Sequence, residues 1–437
     1  MAGRTGIGTR TPLAASGDQA GTSPAAARRR SRNPWMARLE SPLAAYYLVL
    51  GSTVALATIG LVMVLSSSSV TSLKVNHSSY TIFAKQAMFA AAAIPVAWVA
   101  SRVPRRVWTA LAWPLLVVGF AGLLLVFTPL GISVQGNRNW ISVAGFTLQP
   151  SEAAKLALVV WGAAVLERKR PMFDRLPHIL VPVVPVAGLM LALVLFGNDL
   201  GTAMIMMCIV GTLLFVAGAP LRVFALTAGA ALAATFLLVT TSANRMHRVQ
   251  EWLGGGSDNS LSTGWQTLHG KWALATGGWW GVGLGASRQK WSWLPEAHND
   301  FIFAIIGEEL GLAGTLAVLA LFALLGFGLF RLVLASDDMF VKVATGGVLV
   351  WVLGQAVVNV GSVLGVFPVI GVPLPLVSSG GSALMTTLIA LGMVLGFARR
   401  VPGAPEALAS RPGVVRRSLA VLPGARPLPG TRHRSGR

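Results

Sequence analysis

Apolar segments of about 20 residues, the length that crosses the hydrocarbon core of a bilayer as a helix, recur along this 437-residue chain. Because lipid offers no partner to backbone N–H and C=O groups, such a chain must fold as a helical bundle or a closed barrel. Hydrophobic residues make up 54% of the chain and charged residues only 11%, against about 25% charged in soluble domains. The sequence therefore predicts an all-α polytopic membrane protein.

Ten membrane-spanning helices are predicted, joined by mostly short connections and by one long loop at 242–300. The flanking segments 1–42 and 401–437 are basic and lack apolar periodicity, so we predict two disordered tails around one membrane domain at 43–400. No cleavable signal peptide is expected, and the first span should itself target the chain to the membrane. The predicted spans are 45–66, 81–100, 107–129, 151–166, 178–196, 200–217, 223–241, 301–330, 343–361 and 381–398.

The basic residues indicate how the bundle is oriented. With ten spans, both termini and every strongly basic connection fall on one side, which the positive-inside rule identifies as the cytoplasm. The formal charge of +20 is therefore expected to meet an anionic membrane face rather than nucleic acid. The single cysteine, Cys208, lies in an apolar run and excludes a disulfide. The loops expected outside the cytoplasm are 130–150, 197–200, 242–300 and 362–380, and they hold most of the polar chemistry.

The long loop ends in Glu296, His298 and Asp300, directly before an apolar run that itself carries Glu308 and Glu309. Carboxylates at the mouth of a membrane segment are costly and indicate a functional site. Asp300 also suits a helix N-cap, and the two roles are compatible. The three side chains alternate, so an extended segment would aim them the same way. Asp300 and Glu296 would then be candidate ligands of a divalent cation such as Mg²⁺ or Mn²⁺.

Polar residues near the ends of other spans are further candidates. Glu152 and Lys155, three apart on one helical face, are predicted to line a substrate cavity, with a plain intrahelical ion pair as the alternative. Lys85 is either a cation of this cavity, paired with Asp199, or a side chain that snorkels to the headgroups. Asp199 is equally suited to cap the sixth span. Arg138 lies in the polar loop at 130–150.

The loop 242–300 is rich in tryptophan, which suits a segment lying along the membrane interface. Its cations Lys271, Arg288 and Lys290 could neutralise an anionic headgroup such as a pyrophosphate or contact ordinary anionic lipids. The segment 371–382 is apolar, but Pro and Gly interrupt it too often for a helix. Irregular backbone at this depth must be buried in protein or line a cavity, which makes Ser378 and Ser382 candidate substrate contacts.

Short motifs are spread along the membrane domain: Gly136-Asn-Arg138-Asn-Trp140, Gln149-Pro-Ser-Glu152 with Lys155, Asp199-Leu-Gly-Thr202, Gly264-Trp-Gln266, Gly283-Leu-Gly285 with Gln289-Lys290, Leu294-Pro-Glu-Ala-His298-Asn-Asp300, Gly307-Glu-Glu309 and Pro373 to Ser382. In these motifs the chain resembles, over residues 42–400, the SEDS family of membrane proteins, and within it the cell-division members more than the elongation members. Asn198, Asn299 and Ser379 depart from the residues usual in the family, each beside a motif position.

The resemblance implies a peptidoglycan glycosyltransferase that polymerises lipid II on the outer face of the bacterial cytoplasmic membrane, at the division septum. It implies that Asp300 matches the family's essential loop aspartate, and that the partners are a class B penicillin-binding transpeptidase (FtsI-like) and other divisome membrane proteins. Other classes stay open: a lipid II flippase, which would place its polar groups near the midplane in paired halves, and a scaffold without chemistry. An elongation-type polymerase is a further alternative.

Overall fold

The computed structural model describes residues 43–134, 137–143, 145–173, 181, 183–240, 243–254 and 263–409. The predicted disorder of residues 1–42 and 410–437 lies outside these residues, while 404–409 form a short helix. The helices are α1 (Ala44–Asn76), α2 (Thr81–Ala100), α3 (Arg105–Leu125), α4 (Pro150–Lys169), α5 (Val183–Phe196), α6 (Leu200–Val216), α7 (Leu221–Thr240), α8 (Ala243–Gly254), α9 (Thr263–Gly277), α10 (Ile302–Ala335), α11 (Met339–Val363), α12 (Gly381–Ala398) and α13 (Ala404–Ala409).

The all-α membrane architecture predicted from the sequence is confirmed, with a helix at each of the ten predicted places. Six helices, α1, α2, α3, α10, α11 and α12, are long and apolar enough to cross a membrane, and α5 and α6 are shorter apolar helices. Helices α8 and α9 lie in the segment 242–300, which was predicted as loop.

A small β-sheet interrupts the helical fold where the sequence predicted only a polar loop. Strands β1 (Gly131–Val134), β2 (Asn137–Val143) and β3 (Phe146–Leu148) form an antiparallel sheet in the order β1-β2-β3. Trp140 pairs with Ile132, and Ser142 pairs with Thr147. The sheet satisfies the backbone groups of a segment that leaves α3 and returns at α4.

Helix α4 lies at the centre of the bundle. Its side chains are buried on every face from Ala154 to Leu166, and it packs against α3, α6, α11 and α12. A helix that is apolar or small on all sides is expected in such a central position. Glu152 and Lys155, in the first turns of this helix, are therefore carried into the interior of the protein.

Two helices differ from the predicted spans in ways that shape the site. Helix α1 has 33 residues, about 50 Å at the usual rise, and so continues well past its predicted end at residue 66. Helix α10 is broken at Gly311, whose φ of 70° and ψ of −166° are not helical. The carbonyls freed by the break accept N–H groups of the preceding segment, from Val282 to Glu308 and from Gly283 to Glu309.

A charged cluster ties the helices together at the other end of the bundle. The guanidinium of Arg105, at the start of α3, contacts Glu167 near the end of α4 and lies 3.0 Å from Asp338, which caps α11. The same guanidinium lies over the ring of Phe340. Three helices therefore share one cation at the end opposite to β1, β2 and β3.

Candidate active site

Asp300 lies in a tight turn directly before α10. The turn is closed by backbone bonds from Asn299 and Phe301 to the carbonyl of Glu296, whose φ of 54° is left-handed. The expected extended segment, with Glu296, His298 and Asp300 aimed one way, is therefore wrong. The N-cap position of α10 is Phe301, and Asp300 is half-buried one position earlier.

The Asp300 turn faces the irregular segment 371–380, which is non-helical as predicted. Oδ2 of Asp300 points at Gly371, where an added Cβ would lie 3.5 Å from this oxygen. The hydroxyl of Ser378 donates to the carbonyl of Asn299 at 2.6 Å, and the N–H of Ser379 donates to the carbonyl of His298 at 2.9 Å. Two segments far apart in sequence thus form the two walls around one carboxylate.

Three buried amide side chains hold the segment 371–380 in place. Gln86 of α2 accepts from the N–H of Gly380 at 3.0 Å and donates to the carbonyl of Ser378 at 3.4 Å. Gln355 of α11 donates to the carbonyl of Pro373 at 3.0 Å, and Asn359 donates to that of Val372 at 2.8 Å. These residues had not been predicted as part of the site. The available signal was an amide inside an apolar helix, which needs a buried partner.

The ion pair of Glu152 and Lys155, the alternative to a cavity-lining role, is present and buried. Nζ of Lys155 lies 2.7 Å from Oε1 of Glu152, and both side chains are at most 2% exposed. The ammonium also donates to Oε1 of Gln355 at 2.9 Å and lies over the ring of Trp351. The pair therefore contacts the residue that supports Pro373, and its charges do not reach a described open surface.

Asp199 caps α6, which was one of the two roles predicted for it. Its Oδ1 accepts from the N–H of Thr202 at 2.9 Å, and its Oδ2 accepts from the amides of Asn139 and Gln149 at 3.0 and 3.1 Å. Lys85 is exposed, and within the described residues no ion pair joins it to Asp199, so the predicted pairing is wrong. Asp199 instead connects β2, α4 and α6.

Arg138 and Ser382 both serve contacts inside the protein. The guanidinium of Arg138 donates to the carbonyls of Val126 and Thr128 at 3.0 and 2.9 Å. These carbonyls lie at the C-terminal end of α3, where a cation is favourable to the helix dipole. Ser382 accepts from the N–H of Gln149 at 3.2 Å and so joins the start of α12 to the start of α4.

Lys290 and the two glutamates of α10 form a buried polar cluster. Nζ of Lys290 donates to the carbonyl of Gly285 at 2.7 Å and lies 3.2 Å from Oε1 of Glu309. Glu309 also accepts from the hydroxyl of Ser66 in α1. Glu308 accepts from the hydroxyl of Ser287 and from the N–H of Arg288. The part of α10 before Gly311 therefore fixes the segment 285–290. The ammonium of Lys290 is bound within this cluster.

Of the loop cations predicted for an anionic headgroup, Lys271 and Arg288 remain exposed. Arg288 and Lys271 are both solvent- or lipid-facing, and neither side chain has a hydrogen-bond acceptor among the described residues. Lys271 passes over Gly365, where an added Cβ would lie 2.7 Å from its Nζ. Of the three loop cations, these two have their charged groups uncommitted within the described part of the chain, whereas Lys290 is bound in the cluster with Glu309.

His298 and Glu296 are the other titratable residues of the turn that contains Asp300. Burial lowers the pKa of the His298 imidazole below its ordinary value of 6.5, while the Glu296 carboxylate opposes this change. A neutral imidazole is therefore favoured beside Asp300. Glu296 accepts from the amide of Asn299. Among the described residues no three His, Cys, Asp or Glu side chains gather as a metal centre.

Aromatic residues cluster beside the same region. The rings of His269 of α9, Trp265 and Trp293 form one aromatic cluster, with the two indole centroids 4.2 and 5.9 Å from the imidazole and 6.4 Å from each other. Nδ1 of His269 contacts Oε1 of Gln289 at 2.7 Å, which joins α9 to the segment leading to Asp300. Trp279 and Trp280 are 72% and 84% exposed, as expected for a surface at the membrane interface.

The helices and the clustered polar site define a polytopic membrane protein with its chemistry gathered at one end of the bundle. The sequence profile of the FtsW/RodA/SpoVE family, described as cell cycle proteins, matches residues 47–401. The chain belongs to this family.

Relatives of known name support the same assignment. The chain is 39% identical over 406 residues to a Mycobacterium tuberculosis protein named "Probable peptidoglycan glycosyltransferase FtsW", covering 92% of this chain and 77% of that protein. It is 37% identical over 366 residues to a protein of the same name from Trichlorobacter lovleyi, covering 83% and 96%. The resemblance seen in the sequence motifs is thus confirmed.

Solved structures share the fold. One is a chain from a peptidoglycan synthase complex that coordinates polymerization and crosslinking, with a TM-score of 0.66, 29% identity, and coverage of 80% of this chain and 97% of that chain. Another is the rod shape determining protein RodA of Thermus thermophilus, with a TM-score of 0.59, 26% identity, and coverage of 82% and 97%.

Proposed function

We propose that the protein is a peptidoglycan glycosyltransferase that polymerises lipid II into β-1,4 glycan strands and releases undecaprenyl diphosphate. The observation that carries this proposal is the placement of the Asp300 carboxylate between its own turn and the segment 371–380, opposite a glycine that leaves room beside it. Membership of the FtsW/RodA/SpoVE family and the named relatives support the substrate class.

In the proposed mechanism Asp300 is the general base. It accepts the proton of the acceptor 4-hydroxyl as that oxygen attacks the anomeric carbon of the donor sugar. The bond from this carbon to the pyrophosphate breaks, and inversion converts the α-linked donor into a β-linkage. A positioned base contributes roughly 10²–10⁴-fold to such a reaction. Because the neutral form of His298 is favoured, this residue places no positive charge beside Asp300 that would make the carboxylate a weaker base.

The leaving pyrophosphate needs charge neutralisation as it departs. Arg288 and Lys271 suit this role because their charged groups have no acceptor among the described residues, whereas Arg138, Lys155 and Lys290 are bound to protein oxygens. Arg288 can bind such a group through two N–H donors, which favours it over a lysine. A divalent cation held by Asp300 and Glu296 would be an alternative source of positive charge.

The same proposal includes orientation and partners. Both termini would lie in the cytoplasm, because Arg102, Arg105 and Arg400 lie at the end of the bundle opposite to Asp300. The site would then face outwards at the division septum. The FtsW-named relatives favour septal over elongation-type synthesis. The synthase complex among the structural relatives favours a class B transpeptidase, FtsI-like, as partner, alongside other divisome membrane proteins.

A lipid II flippase is the second function considered. The break of α10 at Gly311 is of the kind that transporters place at their binding sites. Here, however, the freed carbonyls are bound by the preceding segment, and the glutamates beside the break are engaged with Ser66, Ser287 and Lys290. The named relatives favour the polymerase.

The test is the Asp300→Asn variant, assayed as purified full-length protein with its transpeptidase partner and labelled lipid II. The amide keeps the shape of the side chain but cannot accept a proton at neutral pH, so glycan ladders should fall by at least about 10²-fold. A normal elution profile and retained partner binding would show that the fold is intact. Glycan synthesis within a few-fold of the wild type would contradict the assignment of Asp300.

A further inference from the structure

One buried amide joins the backbone of Asp300 to the opposite wall of the site. The side chain of Asn359, in α11, is 2% exposed. Its Nδ2 donates to the carbonyl of Asp300 at 2.8 Å and to that of Val372 at 2.8 Å. An amide NH₂ has two protons, and both are used here. Both partners are carbonyl oxygens, which only accept hydrogen bonds. A flipped side chain would place Oδ1 against them, so the orientation with Nδ2 as donor is the one that chemistry allows.

These two bonds set the width of the space beside the Asp300 carboxylate. Val372 follows Gly371, the residue at which Oδ2 of Asp300 points. The two carbonyls bound by Asn359 therefore belong to the two segments that enclose the carboxylate. Gln86 and Gln355 also hold the segment 371–380, through their bonds to Ser378, Gly380 and Pro373.

The buried amide of Asn359 carries a cost to stability. Its Oδ1 is buried and has no hydrogen-bond partner among the described residues, and an unsatisfied buried oxygen is unfavourable. Packing alone would be served as well by leucine, which has a similar volume and no polar atom. The feature that leucine lacks is the pair of donors aimed at the Asp300 turn and at Val372.

We propose that Asn359 is a positioning residue that holds the Asp300 carboxylate at its distance from the segment 371–377 during glycan synthesis. The inference rests on the proposed function, because it assigns a role in that reaction. Asn359 acts through the backbone of Asp300 and does not itself touch the reacting atoms. A misplacement of about 1 Å costs roughly 10²-fold in rate when the reacting groups depend on alignment.

The first experiment compares Asn359→Leu with wild type in lipid II polymerisation, using purified full-length protein with its transpeptidase partner. We expect kcat to fall by about 10²-fold, with KM for lipid II changed by less than about threefold, because binding surfaces remain. Thr345→Val is the matched control. Thr345 is a buried residue of the same helix whose hydroxyl has no partner within the described residues, and its replacement should leave kcat unchanged.

Asn359→Asp gives a signature that a purely structural role would not produce. An ionised carboxylate has no donor, but a protonated one has a single O–H, and burial raises the pKa of such an acid. The kcat of this variant relative to wild type should therefore rise as the pH falls from about 8 to about 6. The relative kcat of Asn359→Leu should stay flat over the same range.

A third measurement separates the failure of this inference from the failure of the proposed function. Hydrogen–deuterium exchange in peptides covering 298–301 and 371–377 should rise by about tenfold or more in Asn359→Leu and not in Thr345→Val, because local opening becomes easier. Unchanged exchange, or a kcat within threefold of wild type, overturns the inference. If wild-type protein makes no glycan from lipid II, the proposed function fails, and exchange alone decides whether Asn359 holds Asp300.

Discussion

Replacement of Lys155 by methionine tests how the interior of the bundle supports the site. Nζ of Lys155 and Oε1 of Glu152 are 2.7 Å apart, with both side chains at most 2% exposed. At an effective dielectric constant of about 20, two unit charges at this distance attract by roughly 6 kcal/mol. Much of this attraction offsets desolvation, and removal of one partner from a buried pair costs about 3–5 kcal/mol. We expect Lys155→Met to lower the free energy of unfolding by about this amount.

The double variant Glu152→Gln with Lys155→Met should recover most of that loss. With both charges removed, no uncompensated charge stays buried, and stability should return to within about 1 kcal/mol of wild type. Gln355 would keep its bond from the indole N–H of Trp351, at 3.1 Å, and its own bond to the carbonyl of Pro373. Polymerisation should then recover together with stability, because the segment 371–380 remains supported.

The assay is thermal unfolding of the purified variants in detergent, followed by size-exclusion chromatography, with lipid II polymerisation measured on the same samples. Lys155→Arg is a control that keeps the charge but changes its shape in a close-packed setting. A double variant as unstable as Lys155→Met would refute the buried-pair reasoning. A double variant that is stable but makes no glycan would show that the pair contacts substrate, as predicted from its position at the mouth of a span.

Three further outcomes are expected. Arg288→Gln combined with Lys271→Gln should raise KM for lipid II by at least about tenfold and flatten its dependence on salt, since exposed charges are screened; an unchanged KM would remove both residues from the site. Because burial lowers the pKa of His298, the unfolded state binds more protons, and stability is lost as the pH falls through 6.5 and below; His298→Gln should show a smaller loss in thermal unfolding between about pH 7 and pH 5, and an equal loss would place the cause elsewhere. Gly396→Val in α12 should destabilise the protein by about 1–3 kcal/mol, because a Cβ there would lie 2.7 Å from the backbone oxygen of Ser101; a wild-type unfolding temperature would contradict this.

The helices could be predicted from the sequence because the bilayer imposes one length and one solution for the backbone. The cap at Asp199 and the irregular segment 371–380 were also predictable, since each depends on local chemistry. The sheet at 131–148 was not predictable, because its strands are short and their residues do not alternate regularly between buried and exposed. Extension of α1 to Asn76 was missed because the run of serines after residue 65 looks like the polar end of a span, although Ser67, Ser68 and Ser72 are buried within the helix.

The candidate site was predicted in part. Asp300 was found because a carboxylate beside a membrane span is costly and therefore informative. The residues around Asp300 were not predicted. Gln86 in α2 and Gln355 and Asn359 in α11 are isolated amides within apolar helices, and only the tertiary fold shows that they contact one segment. The alternation of Glu296, His298 and Asp300 suggested a common direction that holds only for an extended segment. Glu296 has a left-handed backbone, so the chain turns there and the three side chains do not follow a strand.

The pairing of α2 with α12 has a consequence for how the protein is made. Gly392 and Gly396 bring α12 against the backbone of α2 at Ala97 and Ser101, and Gln86 finds its partners only at Ser378 and Gly380. Ribosomes add roughly 5–20 residues per second, so the second helix waits in the bilayer for tens of seconds before its neighbour emerges. During that interval Gln86 has neither of its partners. A chain truncated before α12 would leave α2 without the helix that packs against it at Ala97 and Ser101.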